Sequence, residues 1–192
     1  WRGGLAIALI LTEGVFSAIS GSILASIVTI GGIFIPLMTA RGYNRAFVAA
    51  LVASVAGIDA LIPPSNAAII YCAITGASVS QAFAAGTVPG VFQMIVLMVV
   101  SWFLCRNMTP EKRCSWRERW TTMYRGGTAL FMPVVILGGI YAGLFTPTEA
   151  AAVACIYAVI VSGFIHRELH WSQIWKALES TALTTAVIFA IV

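Results

Sequence analysis

The chain has 192 residues, of which 60% are hydrophobic and only 9% charged, and its mean hydropathy is +0.95. Soluble domains carry about 25% charged residues, so this composition cannot cover a water-facing surface and excludes a soluble globular protein. The net charge of +4 is no nucleic-acid signature, because it is concentrated in one loop and has a topological explanation.

Apolar runs recur along the whole length, so a single signal peptide does not account for them. They are longer and more continuous than the alternating ten-residue strands of a β-barrel. Transmembrane helices are the expectation. Cys72, Cys105, Cys114 and Cys155 show no CxxC spacing and no paired histidines. They read as small buried apolar residues rather than redox or metal ligands. The chain opens at Trp1-Arg2 and stops inside an apolar run, and is expected to be a fragment of a longer protein.

Leu5 to Ala40 is too long for one span of about 20 residues and has no charged hinge that makes two. It carries Glu13 near its start and the small polar cluster "SAISGS" (Ser17 to Ser22) near its middle. Two arms of roughly 15 residues around a Ser/Gly tip, each too short to cross, would make a re-entrant hairpin. A long tilted helix with a Gly/Ser packing face is the rival reading. "RGYNR" (41 to 45) is a short basic loop. Ala46 to Ile62 is apolar and is broken by Pro63-Pro64, and Ala67 to Ala77 resumes the run. The two pieces together read as one discontinuous helix. "TGASVSQ" (75 to 81) is a turn, and Ala82 to Cys105 is a full span with Pro89-Gly90 inside it as a kink site.

Arg106 to Arg125 is the one strongly hydrophilic stretch. It holds Arg106, Lys112, Arg113, Arg117, Arg119 and Arg125 against Glu111 and Glu118. By the positive-inside rule it is cytoplasmic. Gly127 to Phe145 is another span, ended by "TPTEA" (146 to 150). Thr148 suits an N-cap there, and Glu149 then complements the helix dipole. Ala150 to Ile165 returns toward the cytoplasm. Residues 166 to 181 place Leu169, Trp171, Ile174, Trp175 and Leu178 on one helical face, the pattern of a helix lying in the interface plane. The loops at 41 to 45, 106 to 125 and 166 to 170 are basic and two crossings apart, so all three fall on one side.

The break at "LIPPSNAAIIY" (61 to 71) raises a chemical question. Irregular backbone survives in lipid only where protein buries it or where it lines a wet cavity. Two prolines remove two N–H donors, so carbonyls about a turn earlier, around Ala60, lose helical partners. Gly57 lets the chain distort. Freed carbonyls suit a hard cation such as Na⁺, and Ser65, Asn66 and Asp59 flank the break. Broken helices at the midplane carry ion and substrate sites in many secondary transporters. The competing reading is a proline kink healed by neighbouring helices. Asp59, at roughly 2.5–3.5 kcal/mol in a bilayer centre, could balance a cation, take a proton or pair with an arginine.

Enzyme chemistry finds no support. Ser20 and Ser22 lack a nearby histidine, because His166 and His170 lie in the polar amphipathic stretch. Asp59 is the sole aspartate, which excludes an aspartyl dyad, and no P-loop is present. A channel-like or structural membrane subunit remains an alternative.

Three blocks then carry a family resemblance: "SAISGSILASIVTIGGIFIPLMTARGYNRAFVAALVASVAG", "LIPPSNAAIIYCAITGASVSQAFAAGTVPG" and "GLFTPTEAAAVACIYAVIVSGFIHREL". In this order, with the basic loop between the second and third, the chain resembles the large membrane (permease) subunit of TRAP (tripartite ATP-independent periplasmic) transporters, the DctM-like family. The resemblance implies an all-α polytopic membrane protein of the bacterial inner membrane. It implies a re-entrant helical hairpin and discontinuous transmembrane helices, forming one half of an inverted-repeat, elevator-type transporter. It further implies a sodium-coupled importer with no cofactor besides the coupling ion, while proton coupling within the same architecture stays open. A periplasmic binding protein would deliver a small organic acid, a carboxylate or sugar acid, and a small membrane subunit would support the large one.

The organisation expected is a transport-domain half-site over 1–105, a basic cytoplasmic loop over 106–126, and further helices over 127–192. The family's sodium sites lie between hairpin tip and broken helix, which here implies Ser20, Gly21 and Ser22 with Gly57, Ala60, Ile62 and Pro63. Ser65, Asn66 and Asp59 are the expected solute contacts. Asp59 and Asn66 depart from the small or apolar residues that the family usually shows at these places.

Overall fold

A computed structural model describes residues 3–106, 116–165 and 169–191, and every regular element among them is helical. Residues 107–115 of the basic loop, and His166 with its two successors, lie outside the described residues. Contacts divide the chain into two compact units, 1–147 and 148–192.

The first unit opens with a helical hairpin. Helix α1 (Gly4–Ser20) stops at Gly21, which adopts a left-handed φ of 58° and donates its N–H to the Ser17 carbonyl at 3.2 Å. A side chain disfavours that conformation, so glycine ends the helix here. Ser22 then caps α2 (Ile23–Ala40), accepting from the Ala25 N–H at 3.4 Å. Residues 5–40 are therefore two helices around a Gly-Ser turn rather than one long tilted helix. The arms are longer than the expected 15 residues, and α2 alone is long and apolar enough to cross a membrane.

Asn44 caps α3 (Arg45–Ala56) through Oδ1 and the Ala46 N–H. At Gly57 the helix tightens into a 3₁₀ turn, Gly57–Ala60. Residues 61–65 are irregular, the Pro63–Pro64 peptide is cis, and α4 (Asn66–Thr75) resumes from an N-cap at Ser65. The discontinuous helix is thus present. Its core side packs Leu9 and Ile10 of α1 and Ile30, Phe34 and Met38 of α2 with Val48, Val55 and Ile58, all buried.

Helix α5 (Val79–Leu104) is a 26-residue candidate span carrying Pro89. Its large apolar side chains, among them Val88, Phe92 and Phe103, are mostly exposed, as suits a lipid-facing surface. Glycines let it approach the break closely: a Cβ on Gly86 would sit 2.5 Å from the Leu61 carbonyl oxygen.

Three boundaries differ from the sequence expectations. Helix α6 runs Trp116–Tyr141, so the second half of the expected basic loop is helical. Arg, Glu and Trp are compatible with a helix, and hydropathy reports polarity, not backbone shape. Helix α7 (Pro147–Ile160) starts at Pro147, where a missing N–H costs nothing in a first turn. Thr148 is consequently inside the helix and is not its cap. Helix α8 (Trp171–Ile191) is continuous, where an interfacial helix over 166–181 followed by a separate apolar segment was expected. Gln173 holds its start by accepting the His170 N–H at 2.9 Å through Oε1, the reciprocal half of a capping box.

In the second unit, a π turn, Val161–Ile165, follows α7. The stretch Pro147–Phe164 is long and apolar enough to cross a membrane, as are α2 and α5.

Candidate functional site

The hairpin tip and the broken helix meet backbone to backbone. The Gly21 carbonyl accepts the Asn66 N–H at 3.2 Å. A Cβ on Gly21 would overlap the Pro64 carbonyl oxygen. Only a glycine tolerates both this approach and the left-handed φ. The tip expected from "SAISGS" and the break expected from the double proline are therefore in contact.

The break is largely satisfied from within. Ser65 is buried at 1% exposure, and its hydroxyl donates to the Ala60 carbonyl at 2.9 Å. The same oxygen accepts from the Ala68 N–H at 3.3 Å, capping α4. The Ile58 carbonyl accepts both Leu61 N–H at 2.9 Å and Ile62 N–H at 2.8 Å. One serine thus ties the end of the 3₁₀ turn to the start of α4. Gly57 opens the 3₁₀ turn, with the Gln93 amide of α5 beside it. That amide donates to the Ser54 carbonyl at 3.2 Å. Ile62 and Pro63 are buried, Ser20 and Ser22 half-buried, and Asn66 exposed as the first residue of α4.

Asp59 sits elsewhere. It is fully buried, on the 3₁₀ turn, facing Glu13 of α1 and Ser26 of α2. The three side chains are close enough to interact, yet none of their five oxygens has a hydrogen-bond partner. Sequence reasoning noted Glu13 without giving it a role, and passed over Ser26. The available signal was an acid inside an apolar helix, which marks function or pairing by default. Among the described residues no group of three or more His, Cys, Asp or Glu side chains gathers.

A hairpin clasped to a broken helix, within an apolar helical chain with three helices long enough to cross a membrane, defines the class: a helical membrane protein. The comparisons with known proteins give the family. The family model for the DctM component of tripartite ATP-independent periplasmic transporters matches residues 1–192, and the chain belongs to that family. It is 42% identical, over 99% of its length and 45% of the relative's, to the C4-dicarboxylate TRAP transporter large permease protein of Pseudomonas aeruginosa. It is 38% identical, over 100% of its length and 45% of the relative's, to the ectoine/5-hydroxyectoine large permease protein of Ruegeria pomeroyi. It is 37% identical, over 99% and 45%, to the 2,3-diketo-L-gulonate large permease protein of Escherichia coli. These relatives are transporter permeases, not enzymes. The chain spans about 45% of the length of these relatives.

Proposed function

We propose that the chain is part of the large permease subunit of a secondary-active, sodium-coupled importer of small organic acids in a bacterial inner membrane. The observation that carries this reading is the family match over the whole chain, joined to the clasp of hairpin tip on broken helix. The relatives' names supply the solute class: C4-dicarboxylate, 2,3-diketo-L-gulonate and ectoine. A periplasmic binding protein delivers the solute, and a small membrane subunit holds the scaffold.

In this reading the α1–α2 hairpin enters and leaves the membrane on one side, and it moves with the broken helix as an elevator. Sodium is held between Ser20, Gly21 and Ser22 at the tip and the backbone of Gly57, Ala60, Ile62 and Pro63. The Ala60 carbonyl keeps a second lone pair after accepting Ser65. Of the residues expected at the solute, Asn66 is the exposed one. It makes the direct contact, with Ser65 beneath it as the N-cap of α4. The N-terminus of α4 places partial positive charge where a carboxylate would arrive.

The test is uptake by the full-length permease, its small subunit and a binding protein in proteoliposomes. An inward sodium gradient should drive accumulation of a carboxylate solute, and choline in place of sodium should abolish it. Ser22→Ala should weaken the sodium dependence more than it weakens folding. Uptake driven by a proton gradient without sodium would sink the coupling, and absence of any solute-dependent flux would sink the importer.

A further inference from the structure

Three elements of the first unit each contribute one fully buried polar side chain to the same place: Glu13 from α1, Ser26 from α2 and Asp59 from the 3₁₀ turn. All three elements pack against one another. The side chains face each other, and no cationic group among the described residues faces either carboxylate. Neither oxygen of Glu13, neither of Asp59, nor Ser26 Oγ has a hydrogen-bond partner.

Several other hydroxyls of the first unit bond back to a carbonyl of their own helix. Ser17, one turn beyond Glu13 and equally buried, donates to the Gly14 carbonyl at 3.0 Å. Ser54 and Thr87 bond back to carbonyls four residues earlier. Ser26 forgoes that bond and turns to the carboxylates. Buried charges are tolerated when paired or when they coordinate a metal, and an unsatisfied buried group in a native fold calls for a specific reason.

We propose that Glu13, Asp59 and Ser26 form a binding site for a hard cation, separate from the hairpin tip. Five oxygens of carboxylate and hydroxyl type, with no imidazole or thiolate among them, suit Na⁺ or Ca²⁺ rather than a softer transition metal. Mg²⁺ is disfavoured because it keeps several waters. Glu13 lies eight residues before Gly21 on α1, about 12 Å along the helix, and Ser26 lies four residues after Ser22 on α2, about 6 Å along it, so the site sits one to two turns behind the tip. An ion there would tie both arms of the hairpin to the turn that precedes the double proline. Its occupancy would therefore set how firmly hairpin and break move as one body. The inference does not depend on which solute the transporter carries.

The experiment uses the purified full-length permease. Binding of radioactive sodium and, separately, of radioactive calcium is measured with choline as the balancing ion, and thermal stability is followed in the same series. Wild type should bind one equivalent of one of the two ions that Glu13→Gln and Asp59→Asn lose, or bind at least about tenfold more weakly. Ser22→Ala, at the tip, should retain that equivalent, which separates this site from a sodium site there. Ser26→Ala removes one oxygen without placing a new group in the core. It should weaken the same equivalent and serves where a carboxamide variant does not fold. Equal stoichiometry and equal cation dependence in wild type, Glu13→Gln, Asp59→Asn and Ser26→Ala would overturn the proposal. So would a Glu13→Gln protein that is stabilised and indifferent to both ions, the signature of a carboxyl pair that merely shares a proton.

Discussion

The hairpin touches the broken helix in two places, and the two contacts are built on opposite principles. At the tip, glycine brings backbone onto backbone: the Gly21 carbonyl takes the Asn66 N–H, and Ser65 bridges the Ala60 carbonyl and the Ala68 N–H. About two turns down α1, Glu13, Ser26 and Asp59 meet through side chains, and their oxygens are left without hydrogen-bond partners. The first contact is closed by this chain's own hydrogen bonds, with a second lone pair of the Ala60 carbonyl left beside it. In the second, the cation proposed above would supply the partner that both carboxylates lack. A membrane interior penalises every unpaired polar group, so the five oxygens of the second contact call for a partner that the first contact finds in its own backbone.

Substitutions at the tip sharpen that contrast. The largest effect is expected from Gly21→Val. A valine must adopt the left-handed φ of 58° and overlap the Pro64 carbonyl oxygen, at a penalty beyond about 3 kcal/mol. The yield of folded, monodisperse full-length permease should collapse. A variant with wild-type yield and melting temperature would show that the tip does not clasp the break.

Next comes Ser65→Ala, which removes the bond to the Ala60 carbonyl and the cap on Ala68. A loss of about 1–2 kcal/mol is expected, read as a lower melting temperature in detergent. An unchanged melting temperature would mean the break does not need its serine. The smallest stability change, within about 0.5 kcal/mol, is expected from Asn66→Ile, because the side chain is exposed. Its consequence should appear instead as an altered solute profile in reconstituted vesicles. A profile identical to wild type would remove Asn66 from the solute contact.

Much of this was legible along the chain. The "SAISGS" turn and the Pro63-Pro64 break are punctuated by residues whose backbone restrictions act locally, so their positions could be read without a fold. Boundaries set by polarity were less secure. Arg117 and its neighbours look like loop but continue α6, because charge does not stop a helix whose end has room for polar side chains. Thr148 looks like a cap, yet Pro147 starts α7 one residue earlier. Asp59 was visible as an acid out of place, and its neighbours were not. Glu13 and Ser26 are far from it in sequence, and nothing local joins them.

By itself, then, the sequence determined that the chain is apolar, helical and broken at a double proline, since composition, helix length and proline chemistry each act within one segment. The tertiary structure alone decided that Gly21 rests on Pro64, that Ser65 closes the break from inside, and that Glu13, Ser26 and Asp59 share one buried place. Those are meetings between separate helices, fixed by how α1, α2 and the 3₁₀ turn pack, and no single segment of the chain carries that information.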